Sequence, residues 1–128
     1  MKAAVDYQSE TLNEIADAAY ANACDKGFHP EDESEHQFVE QMCNNLHDEV
    51  SELHEAHRKG NLRNWCDKAD KMIELGLPPL NCLEEELADI VLRALDNARH
   101  LNVNILRAIQ IKHAYNKTRP YRHGDKKS

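Results

Sequence analysis

Apolar residues recur along this chain at the spacing of a helix face, not in the alternation of a strand. Leu12, Ile15, Ala16, Ala19, Tyr20 and Ala23 follow an i, i+3, i+4, i+7 course. That course predicts a first helix, closed by Gly27 and the His29-Pro30 breaker. The acids of 31–35 suit the positive N-terminal end of a second helix. It is expected from about residue 35 to Arg58, with Phe38, Met42, Leu46, Val50 and Leu53 as its apolar stripe and Gly60-Asn61 as its stop. A short helix is expected over 64–75, ended by Gly76 and Pro78-Pro79. A third long helix, from about Leu83 to Leu101, carries Leu87, Ile90, Val91, Ala94, Leu95 and Ala98 on one face. Asn102 breaks it. A fourth should run from about Val103 to Asn116, before Pro120 and Gly124 release an irregular basic tail from about 117. No internal repeat is visible. The expected fold is all-α: one domain over 1–128, an antiparallel bundle of about four main helices with a short extra helix.

Composition narrows the function classes. A length of 128 residues suits one domain. The 16 Lys and Arg against 23 Asp and Glu leave a net charge of −7, which argues against a general nucleic-acid binder. No apolar run nears the roughly 20 residues of a membrane span, and Asp6 interrupts the N-terminal apolar stretch, so no secretory signal is visible. The expectation is a cytoplasmic protein with neither nucleic acid nor membrane as partner. Cys24, Cys43, Cys66 and Cys82 form no C-x-x-C pair, which reads as reduced thiols in preference to disulfides or a zinc site. Charge is unevenly placed. Residues 1–111 carry 10 basic and 22 acidic side chains, whereas 112–128 carry six basic and one acidic. A solvated tail and an anion-facing one both fit that asymmetry.

Two carboxylate pairs stand out once the helices are placed. Glu49 and Glu52 form E-x-x-E on the second helix, and Glu86 and Asp89 form E-x-x-D on the third. An i, i+3 spacing puts each pair on one helical face. With Phe38 at zero on the helical wheel, Glu49 falls at about 20°, inside the apolar arc, and Glu52 at about 320°. With Glu86 at zero, Asp89 falls at about 300°, bordering the apolar arc of the third helix. Carboxylates pressed toward a core are expensive unless paired or holding a metal. Oxygen ligands from two facing helices suit a hard cation such as Mg²⁺. Solvated surface acids or helix-capping charges are the alternative, and on spacing alone both readings stand.

The ordered set of motifs resembles the MazG-like family of all-α nucleoside triphosphate pyrophosphohydrolases. Beyond the two acid pairs, Cys24-Asp25-Lys26-Gly27-Phe28 is similar to the end of the first helix in some members. Glu85-Glu86-Leu87-Ala88-Asp89 is similar to the family's Glu-Glu-Leu-Ala-Asp run, and Lys112-His113-Ala114-Tyr115-Asn116-Lys117-Thr118-Arg119-Pro120 to its Lys-x-x-Tyr-Asn-x-x-Arg-Pro tail. The stretch between Glu52 and Glu86 is longer than the family pattern. The resemblance implies Mg²⁺-dependent cleavage of a (deoxy)nucleoside triphosphate to monophosphate and pyrophosphate, in nucleotide-pool house-cleaning, with Mn²⁺ as a substitute metal. It implies Glu49, Glu52, Glu86 and Asp89 as metal ligands, with Glu49 or Glu52 also activating the water. Lys112, Asn116 and Arg119 would bind phosphate, with Arg93 and Tyr115 as further substrate contacts. A homo-oligomer, dimer or tetramer, is implied as well. A phosphoribosyl-ATP pyrophosphatase is the nearest enzymatic variant, and a non-catalytic helical interaction module the alternative of another class.

Other patterns carry less. Arg93 lies four residues after Asp89 and three before Asp96, so an ion pair within the helix competes with a phosphate contact. Tyr115, Trp65 and Phe28 suit either a stacked base or ordinary packing. His54-Glu55-Ala56-His57 fails the zinc protease pattern, which needs its histidines at i, i+4. Glu33-x-x-His36 is one half of a di-iron bundle motif without its second half.

Overall fold

The computed structural model describes residues 11–120. The N-terminal stretch and the part of the expected tail beyond Pro120 lie outside the described residues. Five helices follow in order: α1 (Leu12–Asp25), α2 (Glu35–Arg58), α3 (Ala69–Glu74), α4 (Cys82–His100) and α5 (Ile105–Lys117). No strand occurs among the described residues, only an isolated antiparallel bridge between Trp65 and Asn81. The chain is all-helical there, as the hydrophobic spacing predicts.

Local chemistry sets the helix ends. Thr11 with Glu14, Ser34 with Gln37 and Asn81 with Glu84 form reciprocal capping boxes at the starts of α1, α2 and α4. Each box satisfies two of the backbone donors that a helix start leaves open. Gly27 ends α1 at φ +80°, and Asn102 makes the corner between α4 and α5 at φ 59°. Both angles are left-handed, which glycine and asparagine tolerate better than other residues.

α4 is the central helix, with α1 and α2 packed on it and α5 meeting only α1 and α4. Asp17 near the start of α1 pairs with Arg99 near the end of α4 at 2.8 Å, while Ala23 lies beside Asp89 and Arg93. Phe38 near the start of α2 packs on His100, ring centroids 4.0 Å apart, and Glu49 meets Arg93 further along. So α1 and α2 each run antiparallel to α4, and therefore parallel to one another. The simple up-and-down order expected for the bundle does not hold between them. The 26–34 connection instead runs back along α4, where the His29 Nε2 is 2.7 Å from the Asp96 Oδ1.

The core is small. Ala16, Ala23, Phe38, Leu95 and Ala98 are buried where α1, α2 and α4 meet, and no large side chain among the described residues is fully enclosed. Val50, Leu87 and Val91, expected in the buried stripes, are about half exposed. Two flanking helices cover two sides of α4 and leave its third side open. Within the expected 64–75 helix only Ala69–Glu74 is helical. Residues 62–66 instead bond back to the start of α4, with Cys82 N–H donating to the Asn64 carbonyl and Leu83 N–H to that of Leu62, both at 2.9 Å.

Candidate functional site

Glu49 and Glu52 come from the second half of α2, and Glu86 and Asp89 from the first half of α4. Antiparallel packing brings these stretches level. Glu49, Glu52 and Glu86 each offer a carboxylate oxygen within 4.8 Å of the other two. Asp89 stands beside this group of three, not inside it, and shares the wall of a groove with Glu49. Helical phase explains Glu49. At the position that the wheel places within the apolar arc, its side chain points at α4, and the residue is only 9% exposed.

Burial and mutual repulsion dominate the electrostatics. Loss of water and the nearby Glu52 and Glu85 push the Glu86 carboxyl up to about 7. Burial, then Glu49, raises Glu52, while a hydrogen bond from Glu86 partly offsets this. Asp89 is raised by the same two causes, with Lys68 and Arg93 opposing them. Glu49 has a different compensation: the Arg93 guanidinium donates to its Oε1 at 2.9 Å. Arg93 therefore pairs across helices with Glu49, not along its own helix with Asp89 or Asp96. The remaining oxygens, Glu49 Oε2 and Glu86 Oε2, are buried without a hydrogen-bond partner. Once ionised, the three carboxylates offer only acceptors, and with two oxygens lacking any partner they fit a hard divalent cation.

A groove of about 400 Å³ opens beside these acids between α1 and α4. Ile15, Ala19, Ala23 and Leu92 give it an apolar wall, while Glu49, Asp89, Arg93 and Asp96 line it with charge. Phe28 stands at the groove with 64% of its surface exposed. Such a space, lined by both apolar and charged side chains, suits a ligand with an apolar part and a charged part.

The basic residues expected at phosphate lie elsewhere in this chain. Lys112 and Asn116 share one strip of α5, and Arg119 follows its end. Lys112 Nζ and Arg119 Cζ stand 5.0 and 5.7 Å from the centroid of the Tyr115 ring. None of these four residues lines the groove or joins the carboxylate group. Trp65 is exposed on the α2–α3 connection and does not line the groove either.

Two features escape the sequence pattern. Lys68 reaches the buried Glu85 at 2.5 Å. An aromatic cluster of the half-buried Tyr20, His29 and His100 with the buried Phe38 forms around the His29–Asp96 pair. Asp96 and Asn97 beside Leu95 and Ala98 are its one trace in the sequence, since they set polar residues against the core-facing stretch of α4. Among the cysteines, Cys66 is buried, Cys82 half-buried, and Cys24 and Cys43 exposed. No helix of the described residues is long and apolar enough to cross a membrane. Comparison with protein-family models, curated proteins and solved structures finds no match to this chain.

Proposed function

We propose that this chain is a Mg²⁺-dependent nucleoside triphosphate pyrophosphohydrolase of the MazG-like type. The observation that carries the reading is the convergence of Glu49, Glu52 and Glu86 beside a groove with an apolar wall. Glu49, Glu52 and Glu86 would hold the metal, with Asp89 at its edge. Mg²⁺ bound there supplies charge against phosphate oxygens and makes a water more acidic. The groove takes the nucleoside, and the phosphates lie toward the group formed by Glu49, Glu52 and Glu86. Arg93 keeps Glu49 aligned through their ion pair, which leaves Glu52 as the less constrained carboxylate. Glu52 is therefore the carboxylate assigned to orient the attacking water and take its proton. In the reaction a water oxygen forms a new bond to the α phosphorus as the bond from that phosphorus to the α–β bridging oxygen breaks. The bridging oxygen departs with its electron pair on pyrophosphate, and the water's proton passes to Glu52.

Exposed apolar residues support a homo-oligomer. Leu87 and Val91 on α4, and Ile109, Ile111 and Tyr115 on α5, lie open in the single chain. Covering them with a second copy removes apolar surface from water. Lys112, Asn116 and Arg119 would then contact phosphate in the site of a neighbouring chain.

Product analysis tests the proposal. Purified protein with a panel of dNTPs and NTPs should give monophosphate and pyrophosphate only when Mg²⁺ is present. Diphosphate plus phosphate would refute α–β cleavage. A folded, Mg²⁺-loaded protein that turns over no nucleotide would favour the non-catalytic interaction module, to which the same exposed faces lend themselves.

A further inference from the structure

Lys68 stands just ahead of α3, in the segment linking α2 to α4, and its Nζ lies 2.5 Å from the Glu85 Oε2. The Glu85 side chain is 9% exposed and that of Lys68 62%. The pair is thus anchored at its carboxylate end and open at its ammonium end. An ammonium carries three N–H donors. Glu85 takes one, and Asp67 at 3.4 Å takes at most a second. Glu85 directly precedes Glu86 on α4, so the ammonium is held next to the carboxylate group. Its charge opposes the upward push on Glu52 and Asp89. Arg93, the other cation acting on Asp89, is already engaged with Glu49.

Position along α4 gives the ligand a direction. Asp96, Arg93 and Leu92 line the groove toward the C-terminal half of the helix, and Asp89 lines it nearer the start. Glu86 belongs to the carboxylate group, and Glu85 with Lys68 comes last. From Leu92 to Glu85 is about 10 Å along the axis at roughly 1.5 Å per residue. A nucleotide with its nucleoside in the groove and its phosphates at the carboxylates therefore points its far phosphates toward Lys68. Resting on the reading of this site as one for nucleoside triphosphates, we infer that Lys68, positioned by Glu85, contacts the terminal phosphates, the half that leaves as pyrophosphate. The long α2–α4 connection would then supply the recognition that separates a triphosphate from a monophosphate.

The test compares the full chain with its K68A, K68R and E85Q variants in the presence of Mn²⁺. Each is titrated with the α,β-methylene analogues of the four dNTPs, with inorganic pyrophosphate and with the matching nucleoside monophosphates. Lys68→Ala should weaken pyrophosphate and triphosphate-analogue binding about tenfold or more, the scale of one charge-assisted hydrogen bond. Monophosphate binding should stay unchanged, and Lys68→Arg should restore most of the loss. Mn²⁺ binding without nucleotide should be unchanged or tighter in Lys68→Ala, because a competing positive charge is gone. Glu85→Gln should weaken pyrophosphate binding in part, and add nothing to Lys68→Ala in the double variant. Equal weakening of monophosphate and triphosphate, or no change in either, overturns the role of Lys68 and leaves the site reading intact. If the unaltered chain binds neither Mn²⁺ nor any of these ligands, the site reading falls, and Lys68 with it.

Discussion

Because burial and neighbouring acids push Glu86 up to about 7, protons and a divalent cation compete for the same oxygens at neutral pH. Glu52 and Asp89 are raised as well. The metal-free folded chain therefore binds more protons than the unfolded chain between the ordinary carboxyl value of 4.5 and about 7. Stability present below that window is lost as pH rises through it. The melting temperature in EDTA should fall as pH is raised from about 5 to about 8, and added Mg²⁺ should flatten the fall. A flat profile in EDTA would refute the crowding of these carboxyls. Glu86→Gln removes one of the competing charges. It should raise the metal-free melting temperature above pH 7 and abolish the Mg²⁺ effect in the same scan. Arg93→Met acts in the opposite sense, since it leaves Glu49 buried without its cation. The Arg93 side chain is 32% exposed, so water softens the loss. A cost of about 2 kcal/mol is expected, below that of breaking a fully buried pair. Urea denaturation measures it, and an unchanged midpoint would mean that water already compensates Glu49.

At the scale of helices, the sequence legibly marks where they run and less legibly which side of each is covered. The Thr11, Ser34 and Asn81 caps and the left-handed Gly27 and Asn102 fall at the expected breaks, because capping and backbone handedness are local chemistry. Asn102→Val should cost about 1 kcal/mol or more by forcing a β-branched residue to φ 59°. Asn102→Gly should be tolerated, and thermal melts of the two variants separate them. The short α3 is overestimated in length by periodicity, since Trp65 and Asn81 prefer a bridge that pins the connection to the start of α4. Glu49 is readable as core-facing from its wheel angle alone. Its pairing with Arg93 is not, because that contact joins residues 44 apart in sequence. Lys68 is hidden for the same reason: nothing near it in the chain announces a partner on α4.

The whole molecule depends on α4, the one helix that packs on both α1 and α2. A small core and open apolar strips on α4 and α5 leave a surface that a second copy would cover. Val91→Glu should shift sedimentation equilibrium toward a single chain while helicity by circular dichroism is kept. Unchanged association would place the self-contact elsewhere. The parallel course of α1 and α2 carries a consequence for biosynthesis. On a ribosome these two helices emerge before α4, without the surface they are built to meet. Residues 59–81 must follow before the first turn of α4 appears, and the His100 ring that packs against Phe38 comes at its far end. Until then the alanine face of α1 and the stripe around Phe38 remain unshielded, the condition in which nascent chains attract chaperones or each other. Synonymous codons that slow translation within the α2–α4 connection would lengthen that interval, and accelerating them would shorten it.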